Sequence, residues 1–250
     1  MSGPDHRCRL ADFAIAAPTD KPLMLGSPSR FGPSRSDPSA VALSAGVLWG
    51  LILLSVGIEA LLQAADRGIV GNPHWRGVAY QNGAFWAGLL HNWRPNYPGQ
   101  PLAMFLSYAF FHDGLGHLAG NMLPLWLLGR RLTDKLGAKA FLVLYLSAAF
   151  GGAAGFGLLS QSPHPMVGAS GALFGLAGAA IWLEATERHR LGITLWPIGG
   201  VILGLVLLNA LMWLALAGVL AWQTHLGGFV TGVAICAVGI GTARGDRKST

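Results

Sequence analysis

Charged residues make up only 11% of the 250 positions, less than half the share of roughly a quarter found in ordinary soluble domains. That excludes a conventional water-facing surface. Cysteine is nearly absent: Cys8 lies in a polar N-terminal segment and Cys236 inside an apolar run, a pair that offers neither a disulfide spacing nor a metal knuckle. A basic stripe is missing too. The net charge is +6, but Lys and Arg punctuate apolar runs, which excludes a nucleic-acid-binding surface. There is no secretory h-region, since residues 1–40 hold only short apolar scraps among Ser, Pro and Asp. They read as a disordered cytoplasmic tail. What is present is apolar: 52% hydrophobic residues and a mean hydropathy of +0.49 predict a polytopic membrane protein.

Six runs are long enough to count as spans: Val41 to Leu62, Leu115 to Leu132, Phe141 to Leu159, Ala169 to Leu183, Leu195 to Leu216 and Thr224 to Ile240. The stretch between the first two carries Pro73, Pro95, Pro98, Trp75, Trp86 and Trp93, amphipathic aromatics among turn residues, and reads as a loop lying at the membrane interface. Within it Leu102 to Phe111 is half a spanning length, hence interfacial. Arg130, Arg131, Lys135 and Lys139 follow the second span, Arg188 and Arg190 the fourth, and Arg244, Arg247 and Lys248 the sixth, whereas the loops after the third and fifth carry no Lys or Arg. Both termini are therefore expected in the cytoplasm, the protein sitting in a bacterial plasma membrane, with domain bounds of 41–243 and a basic tail at 244–250.

Polar side chains inside a membrane need a partner or a wet cavity. The second span has His117 and Asn121 on one face, the fourth begins Gly168-Ala169-Ser170-Gly171, and the sixth has His225 ahead of Gly227-Gly228. These spans run in one direction, and each polar group falls within about two turns of its span's start, so all share one depth. Each alone has a plain explanation. Gly171, Gly175 and Gly178, like Gly228 and Gly232, make small-residue stripes for close helix packing, a lone intramembrane His is often a satisfied core residue, and His117 with Asn121 serves as interhelical glue. Together they are a nucleophile, a base and two hydrogen-bond donors, the parts for acyl transfer. The fourth span counts about fifteen residues, roughly 22 Å against a hydrocarbon thickness of about 30 Å. It must start below the surface, with the Gln161 to Val167 lead-in dipping into a cavity that supplies water.

These residues resemble the rhomboid intramembrane serine proteases over about Leu102 to Gly241. Gly168-Ala169-Ser170-Gly171 is similar to that family's Gly-x-Ser-Gly motif, His225-Leu226-Gly227-Gly228 to its catalytic-histidine segment, and Phe111-His112 through His117-Leu118 to Asn121-Met122 to its second-helix signature. The resemblance implies an all-α bundle of six transmembrane helices with a membrane-lying first loop. It implies Ser170 as nucleophile, His225 as general base, and His117 and Asn121 with the Ser170 amide as oxyanion hole. Phe174 stands where the family stacks an aromatic on the histidine, and Gly168, Gly171 and Gly228 support the dyad. Cofactors and metals play no part in that chemistry; the partners are the lipid bilayer and single-span membrane protein substrates. Two departures stand beside it. Ala103-Met104 occupies the place of a Trp-Arg pair in the first loop, with Trp93-Arg94 further upstream, and Thr133 with Asp134 that of a glutamate.

Asp113 is set aside as a histidine-orienting acid, which leaves a Ser-His dyad, and Glu59 reads as an interfacial carboxylate snorkelling to the surface. His112 and His117 do not make a zinc helix. A second reading, a catalytically inactive relative that binds transmembrane helices, is separated from the first by the intact dyad. A third, a small transporter, would call for an internal repeat, and the halves show none.

Overall fold

The computed structural model describes residues 38–239, so most of the N-terminal tail and all of the basic tail at 244–250 lie outside the described residues. The all-α architecture is as expected, with six long helices and, among the described residues, a single antiparallel bridge between Phe85 and Met166. The first helix, α1, runs Pro38–Asp66. Among the described residues it already covers the three positions ahead of the expected boundary at 41.

The first loop is more regular than its composition suggests. It contains α2, Trp75–Gly83, a 3₁₀ turn at Ala87–Leu90, α3, Gln100–Ser107, and a second 3₁₀ turn at Tyr108–Phe110. Arg76 fastens this loop to α1. Its guanidinium reaches both carboxylate oxygens of Glu59 at 3.0 Å, Asp66 Oδ2 at 2.8 Å and the His112 carbonyl at 3.0 Å, and the Tyr80 hydroxyl donates to that same carbonyl at 2.7 Å. Burial works against the charged guanidinium, but the hydrogen bonds it donates to Glu59, Asp66 and Tyr80 outweigh it and hold Arg76 protonated well above its ordinary range. Glu59 is fully buried, which overturns the reading of a snorkelling carboxylate. A forked arginine satisfies both its oxygens, so it has no need to reach water.

Four further long helices follow: α4, Gly114–Leu136; α5, Ala138–Leu159; α6, Ser170–Arg190; and α7, Trp196–Ala215. The last, α8, is Trp222–Ala237. Of the six, α1, α5 and α7 meet the length and apolarity needed to cross a membrane; α4, α6 and α8 carry the polar residues described below. The fourth span corrects one expectation. It is 21 residues long, not about fifteen, because a charged extension continues it, with Arg188 paired to Glu184 at 2.7 Å and Arg190 to Glu187 at 2.8 Å. The apolar part, Ser170 to Leu183, is still too short for the hydrocarbon layer, and the added turns project from the end remote from Ser170.

Helices α5, α6 and α8 form the tight centre. A methyl group added to Gly228 would fall on the Gly171 carbonyl, one on Gly232 on the Gly175 carbonyl, and one on Gly155 would come within 2.7 Å of the Gln223 carbonyl. The backbones touch because glycine stands at each crossing. Helix α7 differs in kind: none of its residues is buried.

Candidate active site

Ser170 opens α6, and what precedes it sets its position. Met166 and Phe85 exchange backbone hydrogen bonds at 2.9 and 3.0 Å, and the Gly168 amide donates to the Tyr108 carbonyl at 3.0 Å. Gly168 has φ +117°, and a Cβ there would lie 2.7 Å from His117 Nε2. Glycine is thus required twice, for its backbone angle and for the imidazole beside it. Ala169 precedes the helix without a side-chain cap, leaving the first-turn amides unclaimed by the fold, with the positive end of the helix dipole at Ser170.

His225, in the first turns of α8, is held on three sides. Its Nε2 lies 2.9 Å from Ser170 Oγ. The Phe174 ring, one turn along α6, stacks on it with centroids 4.2 Å apart and planes 6° from parallel. Its Nδ1 lies 2.6 Å from Asn209 Oδ1 on α7. The histidine is buried at 4% exposure, whereas Ser170 is half-buried and open on one side. The close crossings at Gly171–Gly228 and Gly175–Gly232 bring the two together, since any side chain there would push α6 and α8 apart.

His117 and Asn121 line the far side of Gly168 from α4, the Asn121 amide nitrogen 3.7 Å from the Cβ position built there. The Asp113 backbone N–H points at His117 Nδ1 at 3.3 Å. That contact makes Nδ1 the acceptor and puts the ring proton on Nε2, facing Gly168. Asn121 Nδ2 gives one hydrogen to the His117 carbonyl at 2.9 Å, and its second hydrogen is left to serve another acceptor. The Asp113 carboxylate is not part of the cluster; its backbone is. An imidazole and an amide from α4 therefore flank Gly168, two residues ahead of the serine at the helix N-terminus, and the His225 ring lies against the serine hydroxyl.

All eight residues singled out from the sequence lie in or against this cluster. One that sequence reasoning passed over is Asn209. It carried a signal: it is the single side-chain amide in the otherwise apolar Trp196–Ala215 helix, and such a group in a membrane needs a partner.

Residues 99–241, more than half of the chain, match the Rhomboid domain family. The rhomboid protease GluP of Bacillus subtilis is 33% identical over 121 residues, 48% of this chain and 23% of the relative. Rhomboid protein 1, mitochondrial, of Saccharomyces cerevisiae is 35% identical over 136 residues, 50% of this chain and 38% of the relative. The rhomboid protease GlpG of Yersinia pestis is 34% identical over 119 residues, 42% of this chain and 41% of the relative. The chain thus spans less than half the length of each of these relatives. The matched region takes in α3 through α8 and every residue of the cluster. The chain belongs to the Rhomboid family and is an integral membrane protein.

Proposed function

We propose that this protein is an intramembrane serine endopeptidase that cleaves peptide bonds in or next to the transmembrane segment of single-span membrane proteins. The observation that carries the reading is the 2.9 Å approach of Ser170 Oγ to His225 Nε2 at a helix N-terminus faced by His117 and Asn121. Ser170 Oγ attacks the scissile carbonyl as His225 Nε2 takes its proton. Negative charge then gathers on the carbonyl oxygen, where His117 Nε2–H, Asn121 Nδ2–H and the Ser170 amide are aimed. The imidazolium returns the proton to the leaving amine, the acyl-enzyme remains, and water admitted on the open side of Ser170 releases it by the same proton route. A helical substrate hides its carbonyl in an intrahelical hydrogen bond, so the segment must unwind locally before attack.

The test is cleavage of single-span substrates by the purified protein in liposomes, beside Ser170→Ala. Cleavage by the first and none by the second is expected; equal behaviour would overturn the reading in favour of a helix-binding, inactive role. The side of the cavity follows from charge. Arg130, Arg131 and Lys135 toward the far end of α4 and Lys139 at the start of α5 are expected in the cytoplasm with both termini, so a cysteine at position 164 should react with an impermeant reagent added outside intact cells. The inverse labelling pattern would move the cavity to the cytoplasmic face.

A further inference from the structure

Resting on the serine-protease reading, we propose that Asn209 is a positioning residue for His225, holding the imidazole in the tautomer that can accept the serine proton. For Nε2 to receive that proton its lone pair must face Ser170, so the ring hydrogen must sit on Nδ1 and find an acceptor there. Asn209 Oδ1, 2.6 Å away, is that acceptor. Phe174 fixes the plane of the ring and Ser170 one edge; Asn209 fixes the opposite edge. The amide must present its oxygen. Turned to present Nδ2–H, it would drive the ring proton to Nε2 and leave the serine without a base.

When the imidazole becomes imidazolium, Nδ1–H keeps donating to the same oxygen and the bond becomes charge-assisted. A Ser-His-Asn arrangement thus replaces the dyad, and a neutral amide does the orienting where a carboxylate would be costly in an apolar layer. The placement on α7 is informative. Pro197, Ile198, Leu205 and Asn209 are its half-buried residues among otherwise exposed ones, and positions 198, 205 and 209 form one inward stripe at helical spacing. Asn209 is the polar member of that stripe. The competent tautomer therefore depends on α7 being docked, and α7 is the helix with nothing buried to hold it.

The experiment compares wild type, Asn209→Leu and Asn209→Asp in liposomes. Leucine keeps the size of the side chain and removes the acceptor; aspartate restores an oxygen. Asn209→Leu should lower kcat by roughly 10- to 100-fold, the value of one hydrogen bond to a charged group, with KM and melting temperature unchanged, and Asn209→Asp should recover most of the loss. Nitrogen-15 NMR of labelled histidine should show His225 protonated on Nδ1 in wild type and distributed over both nitrogens in Asn209→Leu. Wild-type kcat in Asn209→Leu with an unchanged NMR signature overturns the proposal, as does a kcat loss that follows a fall in melting temperature and is not recovered by aspartate. An inactive wild type would sink the protease reading alone, and the NMR comparison would still decide the role of Asn209.

Discussion

Helices α6 and α8 on one side and α7 on the other both touch His225, and they are built on opposite rules. At the α6–α8 crossing, glycine hydrogens face carbonyl oxygens at Gly171–Gly228 and Gly175–Gly232, so the two backbones have a single way to meet. Helix α7 also carries three glycines, Gly199, Gly200 and Gly204, yet a Cβ at any of them would meet nothing within 4 Å. The same residue type therefore means contact in one helix and bare lipid-facing surface in the other. Ser170 and His225 sit on the closely packed pair, and Asn209, which meets the other edge of the His225 ring, sits on the helix with no buried residue.

The largest expected effect tests the rigid pair directly. Ser170→Ala and His225→Ala should each reduce cleavage by about 10⁴-fold or more, and the double variant should be no worse than either, because nucleophile and base act as one unit. Additive losses measured in liposomes would mean that the two residues work separately. Next, Asn121→Ala removes a donor on α4 that lies beside Gly168, and should lower turnover by about 10²- to 10³-fold, about 3 kcal/mol or more in the barrier. A melting temperature that falls while turnover per folded molecule holds would reassign Asn121 to helix packing.

Two glycine substitutions sharpen the contrast itself. Gly228→Val drives a branched side chain into the Gly171 carbonyl and should cost about 3 kcal/mol of stability, with activity lost alongside. Gly204→Val on α7 meets open space and should change stability by no more than about 0.5 kcal/mol. Melting both in detergent decides the matter: comparable losses would show that α7 is packed after all.

Apart from the charged end of α6, the bounds of the six long helices were readable within a few residues, since a run of apolar side chains has to find a nonpolar layer wherever it sits in the chain. Ser170, His225, His117 and Asn121 stood out for the complementary reason, as polar groups in apolar surroundings near one depth. Glu59 stood out as well, but its partner Arg76 is 17 residues away across a loop, and hydropathy does not say which charge folds back on which. Asn209 was hidden by its own helix, whose uniform apolarity described a span and drew the eye away from its one amide. The charged end of α6 was missed because counting stopped where apolarity did, while helical hydrogen bonding and the Arg188–Glu184 pair carry on into water.

The sequence by itself determined that the chain is helical, that it lies in a membrane, and that serine, histidine and glycine recur at spacings able to bring helices close. Those properties are local: they depend on side-chain polarity and on period along one segment. Only the tertiary structure decided which faces meet. It set Ser170 against His225 across 55 residues and Asn209 against the other edge of the same ring across 16, folded Arg76 onto a buried carboxylate, and left α7 without a buried residue. A nearly uniform apolar helix has no preferred face in its own composition, so its rotation and neighbours are chosen by packing and by the few hydrogen bonds available in a layer that offers no water to compete for them.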